Sequence, residues 1–368
     1  MQQISTQYLY TEGQVYEDKL IRINKGRIDS IEDFKGKHDV ECLSAAFFDT
    51  HINGGEEYYL TQSNNWAAVE DIFVASVKTG TYYVLPTVIT SSLENILKGI
   101  ENIRTYRQSN PDSGVLGLHL EGPFLNPEKR GAHLAKYVRK PTNEELQTII
   151  AAGKEIIKIW TIAPEQFEEK QIRMIQEAGI TISAGHSNAT YEEADYAFSK
   201  GISLVTHLYN AMSGLHHRKP GLVGASLSQP EVWAPIIPDG IHCHYGAIKT
   251  AYLAKPKKLF IISDALFLGK KKMDFRWEEF DAQLINGEYV NSDGNLAGSA
   301  ISMGEAVKNM VAKVGITLPE VIEMCTARPA KAVGMYESIG EIKVGYPAVF
   351  TAFDQSLEKF EVKNFLNL

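Results

Sequence analysis

The chain has 368 residues, enough for one large barrel with an appendage or for two domains. Lys+Arg is 37 against Asp+Glu 45, a net charge of −8 that argues against nucleic-acid binding, and 44% hydrophobic with 22% charged residues excludes global disorder. Cys42, Cys243 and Cys325 are scattered, as in a reducing cytoplasm; Met1–Tyr10 lacks the basic and apolar regions of a signal peptide, and no apolar run approaches the ~18 residues of a membrane span.

Residues 1–43 read as short strands. Gln14–Ile23 and Arg27–Ile31 flank the turn Asn24-Lys25-Gly26. Gly340–Phe353 has the same texture. Residues 1–43 and 336–368 are therefore expected to meet as one small β-sandwich domain.

Between them, apolar runs alternate with helical stretches. Eight runs are of strand length: Leu43–Phe48, Thr81–Ile89, Val115–Leu120, Ile156–Ile162, Ile180–Ala184, Ile202–Thr206, Val232–Ile237 and Leu259–Ser263. Continuous apolar runs suit strands buried on both faces. Asn65–Lys78, Leu93–Gln108, Asn143–Ala152, Glu165–Ala178 and Tyr191–Ser199 carry apolar residues at helical spacing. Thr142 before Glu144-Glu145 is a capping signal. The pattern predicts a (β/α)8 barrel of the TIM type over residues 44–335. An open doubly wound sheet would favour a GxGxxG turn after its first strand, and the chain has none. Residues 273–300 break the rhythm. Phe275–Phe280, Ala282–Ile285 and Glu288–Val290, with turns at Asn286-Gly287 and Asp293-Gly294, read as an inserted hairpin beside the active site.

In such a barrel the site lies where the strands end. His51, Glu121, His186, His207, His242 and Asp264 all fall close to the ends of runs. A lone His is more often solvated than a ligand, but scattered histidines would not segregate this way. Glu121, His186 and His207 form a three-ligand set with a place left for water, the catalytic arrangement for zinc. Iron, cobalt or manganese would accept the same ligands. Asp264 is the natural single group to take a proton from that water and return it to a leaving group. His216-His217-Arg218-Lys219 concentrates cationic groups in an acidic protein, and Arg is a standard phosphate ligand.

Several stretches make the resemblance specific: His119-Leu120-Glu121-Gly122-Pro123-Phe124, Lys129-Arg130-Gly131-Ala132-His133, Gly185-His186-Ser187-Asn188, Thr206-His207-Leu208-Tyr209-Asn210-Ala211-Met212, Asp239-Gly240-Ile241-His242, Ser263-Asp264-Ala265 and Leu296-Ala297-Gly298-Ser299. In this order, across residues 45–335, they resemble the amidohydrolase superfamily and, within it, the N-acetylglucosamine-6-phosphate deacetylases. The resemblance implies metal-dependent cleavage of an acetamide on a sugar phosphate, with Glu121, His186 and His207 on one metal ion per subunit. It implies Asp264 as base and acid, and His133 as a donor to the acetyl carbonyl. It further implies Asn210, Ala211, Arg218 and His242 around the sugar and phosphate, and Leu296, Ala297 and Gly298 closing over the sugar. A homodimer in the cytoplasm is expected, with Arg218 a candidate to serve the neighbouring subunit. Many superfamily members carry H-x-H after the first strand. Here His51-Ile52-Asn53 leaves room only for a second, weaker ion on His51, Glu121 and Asp264. Another amide, such as a cyclic ureide or a different N-acetyl amino sugar, is the alternative substrate.

Overall fold

The computed structural model describes residues 2–63 and 65–366. Strands from both ends of the chain form one six-stranded sheet. Its order is Phe360–Asn364, Val349–Phe353, Val40–Ala45, Gln2–Thr11, Gln14–Asn24 and Arg27–Asp33. The sheet curls on itself. Ile28 N donates to Tyr346 O and Ala348 N to Gly26 O, joining the last strand of the order to the segment that leads into Val349–Phe353. Ile4, Leu9, Ile21, Ile23, Leu43 and Phe350 fill the roll. Both chain ends thus build one sheet-rich terminal unit, whose edges are joined by these hydrogen bonds.

The middle of the chain closes a barrel. Its strands are β1 (Phe47–Ile52), β2 (Thr81–Ile89), β3 (Leu118–Glu121), β4 (Ile157–Ile162), β5 (Thr181–Ala184), β6 (Leu204–Val205), β7 (Ala234–Ile236) and β8 (Leu259–Ile261). β1 to β6 pair in chain order as one parallel sheet, and β7 pairs with β8. Parallel bridges from Leu204 to Trp233 and from Ile52 to Ala265 join these two pieces into a closed ring. Helices lie between the strands, and side chains cap their first turns: Ser92 accepts from Asn95 N, Thr142 from Glu145 N and Thr190 from Glu193 N. Phe47, Phe48, Leu85, Leu120, Trp160 and Phe260 are fully enclosed in the core between strands and helices.

One expected run divides. Leu43–Phe48 is a single apolar stretch, yet Val40–Ala45 pairs in the terminal sheet and β1 begins only at Phe47. Burial is complete on both sides of Ala46, so hydrophobicity carries no mark of the break. β1 therefore reaches as far as His51 and Ile52, which holds His51 on a strand rather than on a loop.

The insertion is a three-stranded antiparallel sheet of Asp274–Trp277, Phe280–Ile285 and Glu288–Val290. It packs through Phe275, Trp277, Phe280 and Tyr289 on Tyr59, Phe267 and Leu134, in a cluster distinct from the barrel core.

Candidate active site

Glu121 ends β3, buried at 3% exposure, and is the hub of the site. Its Oε1 lies 3.1 Å from His186 Nε2 and 3.0 Å from His207 Nε2. Its Oε2 lies 3.3 Å from His51 Nε2 and 3.6 Å from His133 Nε2. His51 Nε2 is also 3.2 Å from Asp264 Oδ1, which accepts a hydrogen bond from Asn53 Nδ2 at 2.8 Å. Seven side chains, all but His133 close to a strand end, thus meet although as many as 213 positions separate them in sequence.

The donor set fits a metal cation. His186 Nδ1 lies 2.9 Å from Lys129 O. A carbonyl only accepts, so Nδ1 carries the hydrogen and Nε2 presents a lone pair. His186 and His207 bring their Nε2 atoms to 3.2 Å. Two nitrogens bound tetrahedrally to one zinc ion would stand about 3.3 Å apart. Buried His51 Nε2 approaches two carboxylates without an acceptable hydrogen bond to either. That is how ligands converge on a shared ion. Glu121, His133 and His186 also place donor atoms within 4.8 Å of one another, but the His207 contact to Glu121 is the shorter one.

Electrostatics favour the same reading. Burial opposes the charge of Glu121, yet His51, His186 and His207 outweigh it and hold the carboxyl well below the usual range. Burial also opposes a charge on His51, but Asp264 and Glu121 raise it to about 9. The carboxylate pair draws positive charge, whether a proton or a metal ion. Burial and the neighbouring His186 push His133 down to about 3, so its ring is neutral.

A cavity of about 550 Å³ opens above these groups. Asn53, Glu121, His133, His186, His207 and Asp264 form part of its lining. Asn210, Ala211, His242, Leu296, Ala297 and Gly298 line it too. His242 Nδ1 meets Asp239 Oδ2 at 2.6 Å; burial works against its charge, but Asp239 prevails and raises the ring above its ordinary value. Arg218 does not line the cavity; it stands exposed on the loop before Gly221–Ser228. Lys129, Arg130, Tyr59 and Phe280 are among the further lining residues to which the sequence alone assigns no role. Lys129 and Arg130 sit in a stretch already conspicuous for His133, which was the available signal. Tyr59, which follows β1, and Phe280, on the inserted sheet, carry no local signal; their rings stack with centroids 5.8 Å apart.

A buried carboxylate and imidazole cluster at the C-terminal end of a (β/α)8 barrel defines a metal-dependent hydrolase. Residues 42–366 match the amidohydrolase family, and the chain belongs to that family. It is 32% identical to N-acetylgalactosamine-6-phosphate deacetylase of Escherichia coli O157:H7 over 355 residues, 95% of this chain and 94% of that one. It is 33% identical to N-acetylglucosamine-6-phosphate deacetylase of Haemophilus influenzae, over 93% of each chain. The crystal structure of N-acetylglucosamine-6-phosphate deacetylase from Pasteurella multocida superposes with a TM-score of 0.91 at 32% identity, covering 99% of this chain and 100% of that one.

Proposed function

We propose that the protein hydrolyses the acetamide of N-acetyl-D-glucosamine 6-phosphate to D-glucosamine 6-phosphate and acetate. What carries the reading is the convergence of Glu121, His186, His207, Asp264 and His133 on one cavity in a chain whose relatives are named deacetylases. One zinc ion per subunit is assigned to Glu121, His186 and His207. Bound there, the ion supplies Lewis acidity that polarises the acetyl carbonyl and acidifies the attacking water.

The chain's own residues do the rest. Asn53 engages Asp264 Oδ1, which leaves Oδ2 to accept the proton of the water. Asp264 then passes that proton to the amine nitrogen as the C–N bond breaks. The Thr90 hydroxyl lies 2.8 Å from His133 Nδ1. His133 is the group assigned to the developing oxyanion. The backbone of Asn210 and Ala211, with His242, receives the sugar and its phosphate, and Lys129 and Arg130 add positive charge at the rim. Leu296, Ala297 and Gly298 cover the sugar. The exposed Arg218 serves the cavity of a second copy in a homodimer. The buried, unpaired state of Cys42, Cys243 and Cys325 supports a reducing cytoplasm as its place.

The Escherichia coli relative favours one second reading, the C4 epimer N-acetylgalactosamine 6-phosphate. Acetate release should be compared for the two 6-phosphates and for unphosphorylated N-acetylglucosamine. Faster turnover of the glucosamine 6-phosphate derivative supports the proposal. Preference for the epimer moves the assignment to that sugar. Equal rates with and without phosphate remove the phosphate subsite, and no acetate from any of them returns the chain to other amides.

A further inference from the structure

We propose that Glu165 is a positioning residue that clamps two active-site loops together and so fixes which nitrogen of His186 faces the metal. The inference rests on the metal reading above, not on the identity of the sugar. Glu165 lies in the turn Pro164–Gln166 after β4 and is not part of the cavity lining.

Its carboxylate takes three hydrogen bonds. Oε1 accepts from Asn126 Nδ2 at 2.9 Å and from Asn188 N at 2.8 Å. Oε2 accepts from Ser187 Oγ at 2.6 Å. Asn126 caps the turn Pro127–Lys129 in the loop after β3, whereas Ser187 and Asn188 follow His186 just past the end of β5. The same two loops meet around His186 itself. Asn126 N donates to His186 O at 2.9 Å, and Lys129 N donates to Asn126 O at 2.9 Å. Lys129 O then accepts from His186 Nδ1 at 2.9 Å. The bonds close a ring from Glu165 through Asn126, Lys129 and His186 back to Ser187, Asn188 and Glu165.

That ring has a chemical consequence. The bond to Lys129 O fixes the hydrogen on Nδ1 and so frees Nε2 as the ligand atom. His186 also holds φ +47°, a conformation costly for a residue with a side chain, so it needs support from outside its own strand. Three bonds to one anionic acceptor are the strongest brace in that ring.

The chemistry separates positioning from charge. In Glu165→Gln, Oε1 still accepts from Asn126 and Asn188, and the new amide donates to Ser187 Oγ, which can accept. Glu165→Ala removes all three bonds. Metal-stripped wild type and both variants should be titrated with Co²⁺, following affinity and the visible ligand-field spectrum. Glu165→Ala is expected to weaken Co²⁺ binding about 10–100-fold and to alter the spectrum. Glu165→Gln should stay close to wild type. Equal affinity in wild type and Glu165→Ala overturns the proposal, even if the variant melts earlier. Equal losses in Gln and Ala also overturn it, because charge alone would then be at work. If Glu165→Ala fails to fold, Ser187→Ala removes one bond of the clamp and should weaken Co²⁺ in the same direction; no weakening overturns the proposal. A wild type that takes up no Co²⁺ overturns the metal reading, and this inference with it.

Discussion

His186, His207, Tyr209, Ala211 and Asp264 all hold positive φ, at +47°, +31°, +81°, +51° and +48°. Few side-chain residues adopt this region, and four of these five, all but Tyr209, line one cavity. His186, His207 and Asp264 stand within three residues of the ends of β5, β6 and β8, and their side chains line the cavity. Asn tolerates this region as well as Asp does, so Asp264→Asn should keep the fold and lose the proton transfer. We expect acetate release to fall about 10²–10⁴-fold with the melting temperature unchanged. A rate near wild type would remove Asp264 from the reaction. At this scale the sequence reveals the groups that end a strand, because the apolar run itself points to them. Asn53 on Asp264 and Glu165 on Asn126 are not legible in that way. Their partners lie 211 and 39 positions away, and only the closed barrel brings them near.

The inserted sheet is the element that completes the cavity. Its turn at Asn286-Gly287, with φ +52° and +88°, was readable because both residues favour that geometry. The turn at Glu278-Glu279 was not, since glutamate carries no such preference; the expected strand Phe275–Phe280 is instead two strands, with Trp277 paired to Phe280. Glu278 and Glu279 meet Lys136, and Glu278 also meets Tyr137, so the sheet touches the loop that carries His133. Trp277 is packed in a cluster of its own, apart from the barrel core. Trp277→Ala should therefore cost about 3–5 kcal/mol locally rather than globally. Hydrogen exchange across 274–298 should accelerate and KM for the sugar phosphate should rise, while barrel amides stay protected. Unchanged exchange in that segment would show that the sheet does not depend on its aromatic cluster.

Across the whole molecule, the eight apolar runs disclosed the barrel because parallel strands are buried on both faces. The same uniform burial hid the passage at Ala46 from terminal sheet to barrel. Whole-molecule stability should also carry the signature of one buried cation. Lys255 is 3% exposed and donates to Gln229 O. Burial lowers its ammonium to about 8. The unfolded chain holds that proton up to about 10.5, so between these values it binds more protons than the folded protein, and stability rises with pH. Relative to Lys255→Met, wild type should gain about 2 kcal/mol between pH 8 and pH 10 in denaturant unfolding. Parallel curves for the two proteins would contradict a neutralised buried lysine.

The central claim is that a metal held among Glu121, His186 and His207 makes this barrel an amide hydrolase. The direct measurement is acetate release from N-acetylglucosamine 6-phosphate as Zn²⁺ is added back to metal-stripped protein. The account predicts negligible release without metal and a rise that saturates at one equivalent per chain. Full activity in the stripped protein, or none at any zinc level from folded protein, would contradict it.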